Sequence, residues 1–299
     1  MRAKSLLFAA RHPTAAAASI KRRLRWSISR PSPTKPISSI LLNTMPKSGS
    51  VFVQRTLCML LKIDQKYIGN RYALIDQINV HDAETISKGN FVSQNHLAPS
   101  QENVQILRHF GLKMVLHLRD PRQALLSWVH HLDWITGKSD TSPWLLYFAP
   151  RTPSGYFEWH FHQKVDWQIE NFLPQLVHWT ERWVQIADSG VIPVLITQHR
   201  DLQTNEKTFF ESILAFYGLD TNYVPVGLPR TMNETHYRMA DPSEWSRVFV
   251  PAQIANATAA ISSELCSRFG WTYPEQIRAA ERRANNAGFR TAAAFVEGL

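Results

Sequence analysis

Short apolar runs alternate along the chain with longer stretches in which apolar residues recur at helical spacing. The apolar runs predict strands at about residues 39–45, 91–93, 114–118 and 191–197. The periodic stretches predict helices at about residues 50–62, 100–110, 121–135, 163–188 and 205–217, with two more at about 251–269 and 274–287. Because strands separated by helices form parallel sheets covered on both faces, the predicted fold class is α/β.

The basic residues are concentrated near the N-terminus. Residues 1–39 contain nine Lys or Arg and no Asp or Glu, whereas the rest of the 299-residue chain has 24 basic and 24 acidic residues. The formal net charge of +9 is therefore a property of the tail, and the neutral body indicates no nucleic-acid partner. Three prolines separate this tail from the first predicted strand. We predict a basic tail at residues 1–38 and a single domain at residues 39–299.

The composition of the tail leaves three interpretations open. It is rich in Arg, Ala and Ser, as organellar transit peptides are, but it also fits a disordered extension or a segment attracted to an anionic membrane surface. Cys58 and Cys266 are too few for a disulfide framework and fit a reducing compartment. No run of 18 apolar residues predicts a transmembrane segment. The predicted location is the cytoplasm, or an organelle if residues 1–38 act as a transit peptide.

A short polar loop joins the first predicted strand to the first predicted helix. In a parallel sheet, such a loop presents backbone N–H groups and the positive end of a helix dipole to an anion. Gly49 permits a close approach of the backbone to phosphate, Lys47 adds a positive charge, and the hydroxyls of Ser48 and Ser50 can donate hydrogen bonds. The spacing is not that of a Walker A loop, GxxxxGK[ST].

Two motifs together resemble the sulfotransferase family. The stretch Pro46-Lys47-Ser48-Gly49-Ser50-Val51-Phe52 resembles its 5′-phosphosulfate loop. Further on, Arg119-Asp120-Pro121-Arg122 with Ser127 resembles its 3′-phosphate motif, in which an Arg at a strand end and a Ser in the next helix share the 3′-phosphate. The resemblance implies that Arg119, Ser127 and residues 47–52 bind the donor, 3′-phosphoadenosine 5′-phosphosulfate.

A third segment is similar to the part of the family that closes over the nucleotide. His236-Tyr237-Arg238 precedes Trp245 and Phe249, as an Arg-Lys-Gly triplet precedes a Trp in the family. Met239 and Ala240 stand where Lys and Gly are usual, so only Arg238 is carried over as a 3′-phosphate contact. The resemblance covers about residues 40–270 and implies a P-loop-like three-layer fold, with a central parallel sheet flanked by helices on both faces.

The predicted chemistry is transfer of a sulfuryl group to an acceptor hydroxyl or amine, with adenosine 3′,5′-bisphosphate as the leaving product. Such a transfer needs in-line positioning and a cation on the developing charge, a role that Lys47 fits. The acceptor also has to lose a proton, for which His is suited near neutral pH. His96 ends the second predicted strand, and His96-Leu97-Ala98-Pro99 resembles the family segment that carries the general base.

Other residues of these motifs receive lesser roles. The resemblance implies that Ser127 also restrains Lys47 until substrate arrives. We expect Asp120 to cap the following helix or to pair with a base, because Asp is favoured at helix starts. Arg122 is interpreted as a charge on the helix surface. His199-Arg200-Asp201 stands where the family often has Tyr-Glu-Asp, so no catalytic role is carried over there.

Seven tryptophans and five histidines lie between residues 128 and 183. They would suit a small-molecule, sugar or lipid acceptor, although tryptophans at helical spacing, such as Trp179 and Trp183, more often pack in a core. No metal is predicted, because His160 and His162, taken as neighbours on one strand face, lack a further ligand. Two alternatives remain: a kinase or hydrolase on the same fold, which would need a Walker-type Lys and a Mg²⁺-binding Asp, and a catalytically silent nucleotide-binding scaffold. The oligomeric state is not predicted.

Overall fold

Five parallel strands form the central sheet of the computed structural model, which describes residues 36–69, 74–137, 151–228 and 241–271. The strands are β1 (Ile40–Thr44), β2 (Asp64–Gln65), β3 (Phe91–Asn95), β4 (Met114–Leu118) and β5 (Val194–Gln198). Their order across the sheet is β2-β3-β1-β4-β5. All strands run the same way, so the loops that follow β1, β3, β4 and β5 emerge at one edge.

Eleven helices accompany the sheet within the described residues. They are α1 (Ser50–Leu61), α2 (Val80–Ser87), α3 (Gln101–His109), α4 (Pro121–Thr136), α5 (Phe161–Asn171), α6 (Leu173–Asp188), α7 (His199–Thr204), α8 (Glu206–Phe216), α9 (Trp245–Val248), α10 (Pro251–Ala259) and α11 (Ser263–Phe269). A single 3₁₀ turn, Tyr156–Glu158, precedes α5.

The helices cover both faces of the sheet, because successive strand residues point to opposite sides. Ile40 and Leu42 of β1 belong to one core cluster, with apolar residues of α1 and α8. Leu41, between them, belongs to a larger cluster on the other side, with apolar residues of α4, α5 and α6. The predicted α/β fold with a central parallel sheet and helices on both faces is confirmed.

The strands and most helices lie close to their predicted positions, but two predicted helices are wrong. The helix predicted at about residues 163–188 is divided into α5 and α6 at Phe172. Pro174 stands in the first turn of α6, where its missing N–H costs no hydrogen bond, and a continuous helix through it would have lost one. The helix predicted at about 251–269 is likewise two helices, because Ser262 caps a new helix through the Leu265 N–H.

Some elements were not predicted from the sequence. β2, α2, α7 and α9 are short, with two to eight residues each, and carry little periodic signal. β5 begins at Val194 rather than near residue 191. His160 and His162 do not share a strand: His160 is the N-cap of α5, and His162 lies in its first turn. The helix predicted at about 274–287 falls outside the described residues.

The aromatic residues of α6 belong to the core. Trp179 and Trp183 are almost completely buried, and both indole N–H groups donate to the carbonyl oxygen of Leu97, over 2.6 and 2.9 Å. This confirms core packing for these two residues. Within the described part of the chain, no helix has the length and apolar character needed to cross a membrane.

Candidate active site

The loop after β1 turns sharply into α1 through two left-handed residues. Lys47 has φ 65° and Gly49 has φ 83°. The turn is closed by a hydrogen bond from the Ser48 N–H to the Met45 carbonyl, over 3.2 Å. Gly49 is the N-cap of α1, and no side chain caps the helix. The first turn also contains no acidic residue, so the N-terminal end of this helix retains its positive potential.

Two side chains from the end of β4 contact backbone carbonyl groups of this loop. The Nη1 group of Arg119 donates to the Lys47 carbonyl over 2.7 Å. The Nε2 atom of His117 lies 2.9 Å from the Ser48 carbonyl. Residues two apart on an extended strand point to the same side, so β4 supports two successive peptide groups of the loop.

His199, the first residue of α7, packs against the loop from the β5 side. A Cβ atom at position 49 would lie 3.2 Å from His199 Cδ2, which is closer than a side chain normally approaches. Burial lowers the pKa of His199 well below its usual value, and the charge of Arg119, with that of His117 when His117 is protonated, acts in the same direction. His199 therefore adds no positive charge to the loop at neutral pH. Glycine at position 49 is favoured both by its φ angle and by the close approach of His199.

The predicted donor-binding residues of the loop differ in their surroundings. Ser48 is completely buried, and its hydroxyl has no hydrogen-bond partner among the described residues. Ser50 is buried, whereas Val51 is half-buried. The ring of Phe52 lies 6.4 Å from that of Phe210, on the core side of α1. A buried hydroxyl without a partner costs free energy, so Ser48 fits a site completed by a ligand.

His96 follows β3 directly and lies beside the end of β1. Its Nδ1 atom is 2.6 Å from the Thr44 carbonyl, and Gln94 Nε2 lies 3.4 Å from its Nε2 atom. Part of the residue reaches solvent, but burial of the ring, together with a smaller contribution from the nearby charge of Lys47, lowers its pKa to about 4. His96 is therefore a neutral imidazole at neutral pH, and it lies within the electrostatic reach of Lys47.

A pocket of about 150 Å³ opens next to Arg119. It lies between the ends of β4 and β5 and the segment at residues 242–245. Arg119 and Arg200 are its basic lining residues, Asp120 is an acidic one, and Trp245 supplies an aromatic wall. Arg119 is only 7% exposed. A buried guanidinium beside a basic and aromatic pocket suits a phosphorylated nucleoside.

Arg122 is buried, so its interpretation as a surface charge is wrong. Its guanidinium is bound by the Asp120 carboxylate through Nε and Nη2, over 3.0 and 2.8 Å, and stacks 4.2 Å from the centroid of the Trp245 ring. It also donates to the Trp271 carbonyl and, over 3.2 Å, to the Thr258 hydroxyl. All of these partners lie within the protein, which offsets the cost of burying the charge.

Asp120 performs both of the roles expected for it. Its carboxylate accepts a hydrogen bond from the Arg122 N–H at the start of α4, over 2.9 Å, and pairs with the Arg122 side chain. The prediction that it caps the helix is confirmed. The Asp120–Arg122 pair thus joins the β4–α4 corner, which carries Arg119, to the C-terminal helices.

Ser127, Arg238 and the aromatic residues complete the set of predicted site residues. Ser127 is half-buried on α4. Arg238 and the triplet around it lie outside the described residues. Of the aromatic residues considered for an acceptor pocket, Trp134 is 44% exposed, whereas Trp128 is buried and stacked on Phe172. Among the described residues, no group of three His, Cys, Asp or Glu side chains could hold a metal ion.

The sequence analysis missed two histidines of the site. His117 is surrounded in sequence by the apolar residues of β4, so it was treated as one more residue of a buried strand. His199 was considered only as a departure from a family motif. A usable signal existed for His117: it precedes Arg119 by two residues, so both side chains leave the strand on one side.

The parallel sheet, the loop at its edge and the basic pocket define an α/β protein of the phosphate-binding-loop class. The family model described as "Sulfotransferase domain" matches residues 38–239. The chain therefore belongs to the sulfotransferase family and is a sulfotransferase enzyme.

Solved sulfotransferase structures resemble this chain at low sequence identity. The mouse sulfotransferase SULT7A1, in a crystal structure with PAP, is 14% identical, with 82% of this chain and 88% of that one covered and a TM-score of 0.51. A sulfotransferase from Alicyclobacillus acidocaldarius is 15% identical, with 76% and 96% covered and a TM-score of 0.45. No curated protein matches the sequence significantly. The mouse structure supports the fold.

Proposed function

We propose that this sulfotransferase takes its sulfuryl group from 3′-phosphoadenosine 5′-phosphosulfate and transfers it by in-line displacement to an acceptor hydroxyl or amine. The carrying observation is that Lys47 and His96 lie together at the carboxyl edge of the sheet, close enough for the Lys47 charge to lower the pKa of His96. A cation for the leaving group and a neutral base for the acceptor are the two groups that this transfer requires.

The donor fits the residues of the site. The backbone N–H groups at the start of α1 and the buried hydroxyl of Ser48 would bind the 5′-phosphosulfate. Arg119, in the adjoining pocket, would bind the 3′-phosphate, with Ser127 and Arg238 as further contacts. The mouse sulfotransferase named above was crystallised with PAP, which supports this choice of nucleotide.

Each residue then has one task in the transfer. His96 Nε2 takes the proton from the acceptor group as its oxygen or nitrogen forms a bond to sulfur. The bond between sulfur and the 5′-phosphate oxygen breaks, and its electron pair stays on that oxygen. The Lys47 ammonium stabilises the charge that develops there, and Ser127 restrains Lys47 before the acceptor arrives. Adenosine 3′,5′-bisphosphate and the sulfated acceptor leave. The acceptor is proposed to be a small molecule, a sugar or a lipid.

Calorimetry with adenosine 3′,5′-bisphosphate tests the donor. We expect the wild-type protein to bind this nucleotide and to bind 5′-AMP, which lacks the 3′-phosphate, much more weakly. Arg119→Ala should weaken binding of the bisphosphate and largely remove the preference over 5′-AMP. If wild-type protein bound neither nucleotide, the proposed donor would be wrong.

Transfer itself is tested with ³⁵S-labelled donor and a library of phenols, sugars, lipids and amines. Lys47→Ala should lower turnover more than donor affinity, and His96→Ala should lower turnover while leaving nucleotide binding unchanged. Phosphoryl transfer from ATP, or nucleotide binding without sulfation of any acceptor, would instead support the kinase or the silent alternative.

A further inference from the structure

His117 lies in direct contact with the loop, yet no step of the proposed reaction uses it. Its ring is completely buried between β5, α8 and the loop. The ring packs edge-on against Phe209, with centroids 5.3 Å apart, so its orientation is fixed by apolar packing as well as by hydrogen bonds. Buried polar groups are nearly always hydrogen-bonded, so both ring nitrogens are expected to have partners.

The two hydrogen bonds of the ring define its tautomer. The Ser48 carbonyl can only accept, so Nε2, 2.9 Å away, carries the proton. Nδ1 then accepts from the Thr197 hydroxyl, which lies 2.9 Å away on β5. Burial lowers the pKa of His117 to about 4, which keeps the ring in this neutral form at neutral pH. A chain of hydrogen bonds thus runs from β5 through β4 to the loop.

The hydrogen bond to Ser48 determines where the next N–H points. In a trans peptide, the carbonyl of one residue and the N–H of the following residue point in opposite directions. Because His117 holds the Ser48 carbonyl on the β4 side, the Gly49 N–H is turned away from the sheet, toward the open N-terminal end of α1. This N–H makes no backbone hydrogen bond within the described residues.

Gly49 makes this orientation easy to lose without an anchor. A flip of the Ser48–Gly49 peptide changes ψ of Ser48 and φ of Gly49, and glycine accepts either sign of φ at little cost. The flipped peptide would present a carbonyl oxygen, instead of an N–H, to a bound anion. Arg119 anchors the preceding peptide, through the Lys47 carbonyl. His117 is therefore the side chain that fixes the second one.

We propose that His117 is a positioning residue that holds the Ser48–Gly49 peptide so that the Gly49 N–H faces the 5′-phosphosulfate group of the donor. This inference rests on the proposed function, because it assigns the anion at the loop to that donor. In this proposal His117 contacts neither substrate and acts through the backbone of the loop.

Two substitutions of similar size separate positioning from packing. In His117→Gln, the side-chain amide nitrogen can take the place of Nε2 and keep the bond to Ser48. In His117→Asn, the shorter amide ends near the position of Nδ1 and cannot reach that carbonyl. Both variants are neutral, polar and smaller than His, so general destabilisation should be similar and is followed by the thermal midpoint.

Binding of two nucleotides supplies the readout. Adenosine 3′,5′-bisphosphate carries a 5′-phosphate for the loop, whereas 3′-AMP carries only the phosphate expected at Arg119. We expect His117→Asn to weaken binding of the bisphosphate about tenfold, as for loss of one hydrogen bond to a charged group, and to leave 3′-AMP binding unchanged. His117→Gln should recover most of the bisphosphate affinity. The ¹⁵N–¹H signal of Gly49 should shift on bisphosphate binding in wild type and much less in His117→Asn.

The outcomes are distinguishable. If His117→Asn bound the bisphosphate as tightly as wild type, or lost affinity for both nucleotides equally, the positioning role would be wrong. If wild-type protein did not bind the bisphosphate, the proposed function would fail first. If His117→Asn does not fold, Thr197→Val is the substitute, because it removes the hydrogen-bond donor to Nδ1 and lets His117 adopt the other tautomer. This variant should lose less bisphosphate affinity than His117→Asn and keep its affinity for 3′-AMP. If Thr197→Val bound each nucleotide as tightly as wild type does, the inference would be overturned.

Discussion

His96 Nδ1 lies 2.6 Å from the carbonyl oxygen of Thr44, the last residue of the central strand β1. Because a carbonyl can only accept, Nδ1 carries the ring proton and Nε2 presents its lone pair. The backbone of the strand that leads into the loop thus holds His96, the proposed base, in the tautomer with a lone pair on Nε2, which lies 3.4 Å from the Gln94 amide nitrogen.

The titration of His96 should reflect its burial and the nearby Lys47 charge. We expect a midpoint near 4 in the free enzyme, so that the imidazole is neutral at every pH above about 5. Histidine ¹³C NMR, with the signal assigned by its loss in His96→Ala, measures this midpoint. Lys47→Met should raise it, because the positive charge that disfavours the imidazolium is removed. A midpoint near 6.5 in wild type would contradict the enclosed environment of the ring.

Lys47 should show a conflict between stability and activity. It is not glycine but has φ 65°, a conformation that costs a side-chain-bearing residue about 1 kcal/mol. We expect Lys47→Gly to be more stable than Lys47→Ala by about that amount, because only glycine relieves the strain. Neither variant should turn over substrate at a substantial rate. Urea unfolding of the two variants at one pH gives the difference, and equal stabilities would mean that the left-handed backbone carries no cost.

Much of the site was predictable because its residues stand at strand ends. The strand at residues 114–118 was predicted correctly from its apolar run, which placed Arg119 at the sheet edge. The same reasoning placed Lys47 after β1 and His96 after β3. These predictions needed only the order of strands and loops, which the hydrophobic pattern carries.

What the sequence analysis missed depends on contacts between distant segments. Arg122 was interpreted as a charge on the helix surface, but Trp245 and Trp271, more than 120 residues away in sequence, cover it. His117 gains its meaning from Ser48 and Thr197, which lie on neighbouring segments only once the sheet is formed. The division of the chain into a tail and one domain at residues 39–299 stays a prediction.

The Asp120–Arg122 pair should be important for stability and not for chemistry. The Arg122 side chain is fully buried and Asp120 is 16% exposed. Removing one partner of a buried pair leaves the other charge uncompensated and typically costs about 3–5 kcal/mol. We expect Arg122→Ala to lower the free energy of unfolding by an amount in this range. The exposed Arg247, which pairs with Asp241 on the surface, provides a matched control.

For that control, Arg247→Ala should cost about 1 kcal/mol or less, since exposed pairs contribute little. Chemical unfolding of both variants measures the two costs, and similar values would show that the Arg122 network contributes no more than a surface pair. Adenosine 3′,5′-bisphosphate binding by folded Arg122→Ala should weaken only modestly, because Arg122 acts on the pocket through Trp245 and not through a direct contact.

The stability of the folded protein should depend on pH through His117. The pKa of His117 is lowered to about 4 by burial, with the charge of Arg119 acting in the same direction, whereas an unfolded histidine titrates near 6.5. Between these values the unfolded chain binds more protons than the folded protein, so stability falls as the pH falls. The contribution of His117 is fully present above pH 6.5 and is lost progressively toward pH 4.

His117→Gln removes this titration while keeping the hydrogen bond to Ser48. Between pH 7.5 and pH 5, wild type should therefore lose about 2 kcal/mol more of its free energy of unfolding than the variant does. His96 and the surface carboxylates titrate in both proteins, so their contributions cancel in the comparison. Burial and the charge of Arg119 keep the pKa of His199 low in both proteins as well. Urea unfolding at the two pH values gives the four free energies needed. Parallel losses in the two proteins would mean that His117 is protonated as easily in the folded state as in the unfolded chain. That result would contradict the enclosure of the ring by Ser48, Thr197 and Phe209.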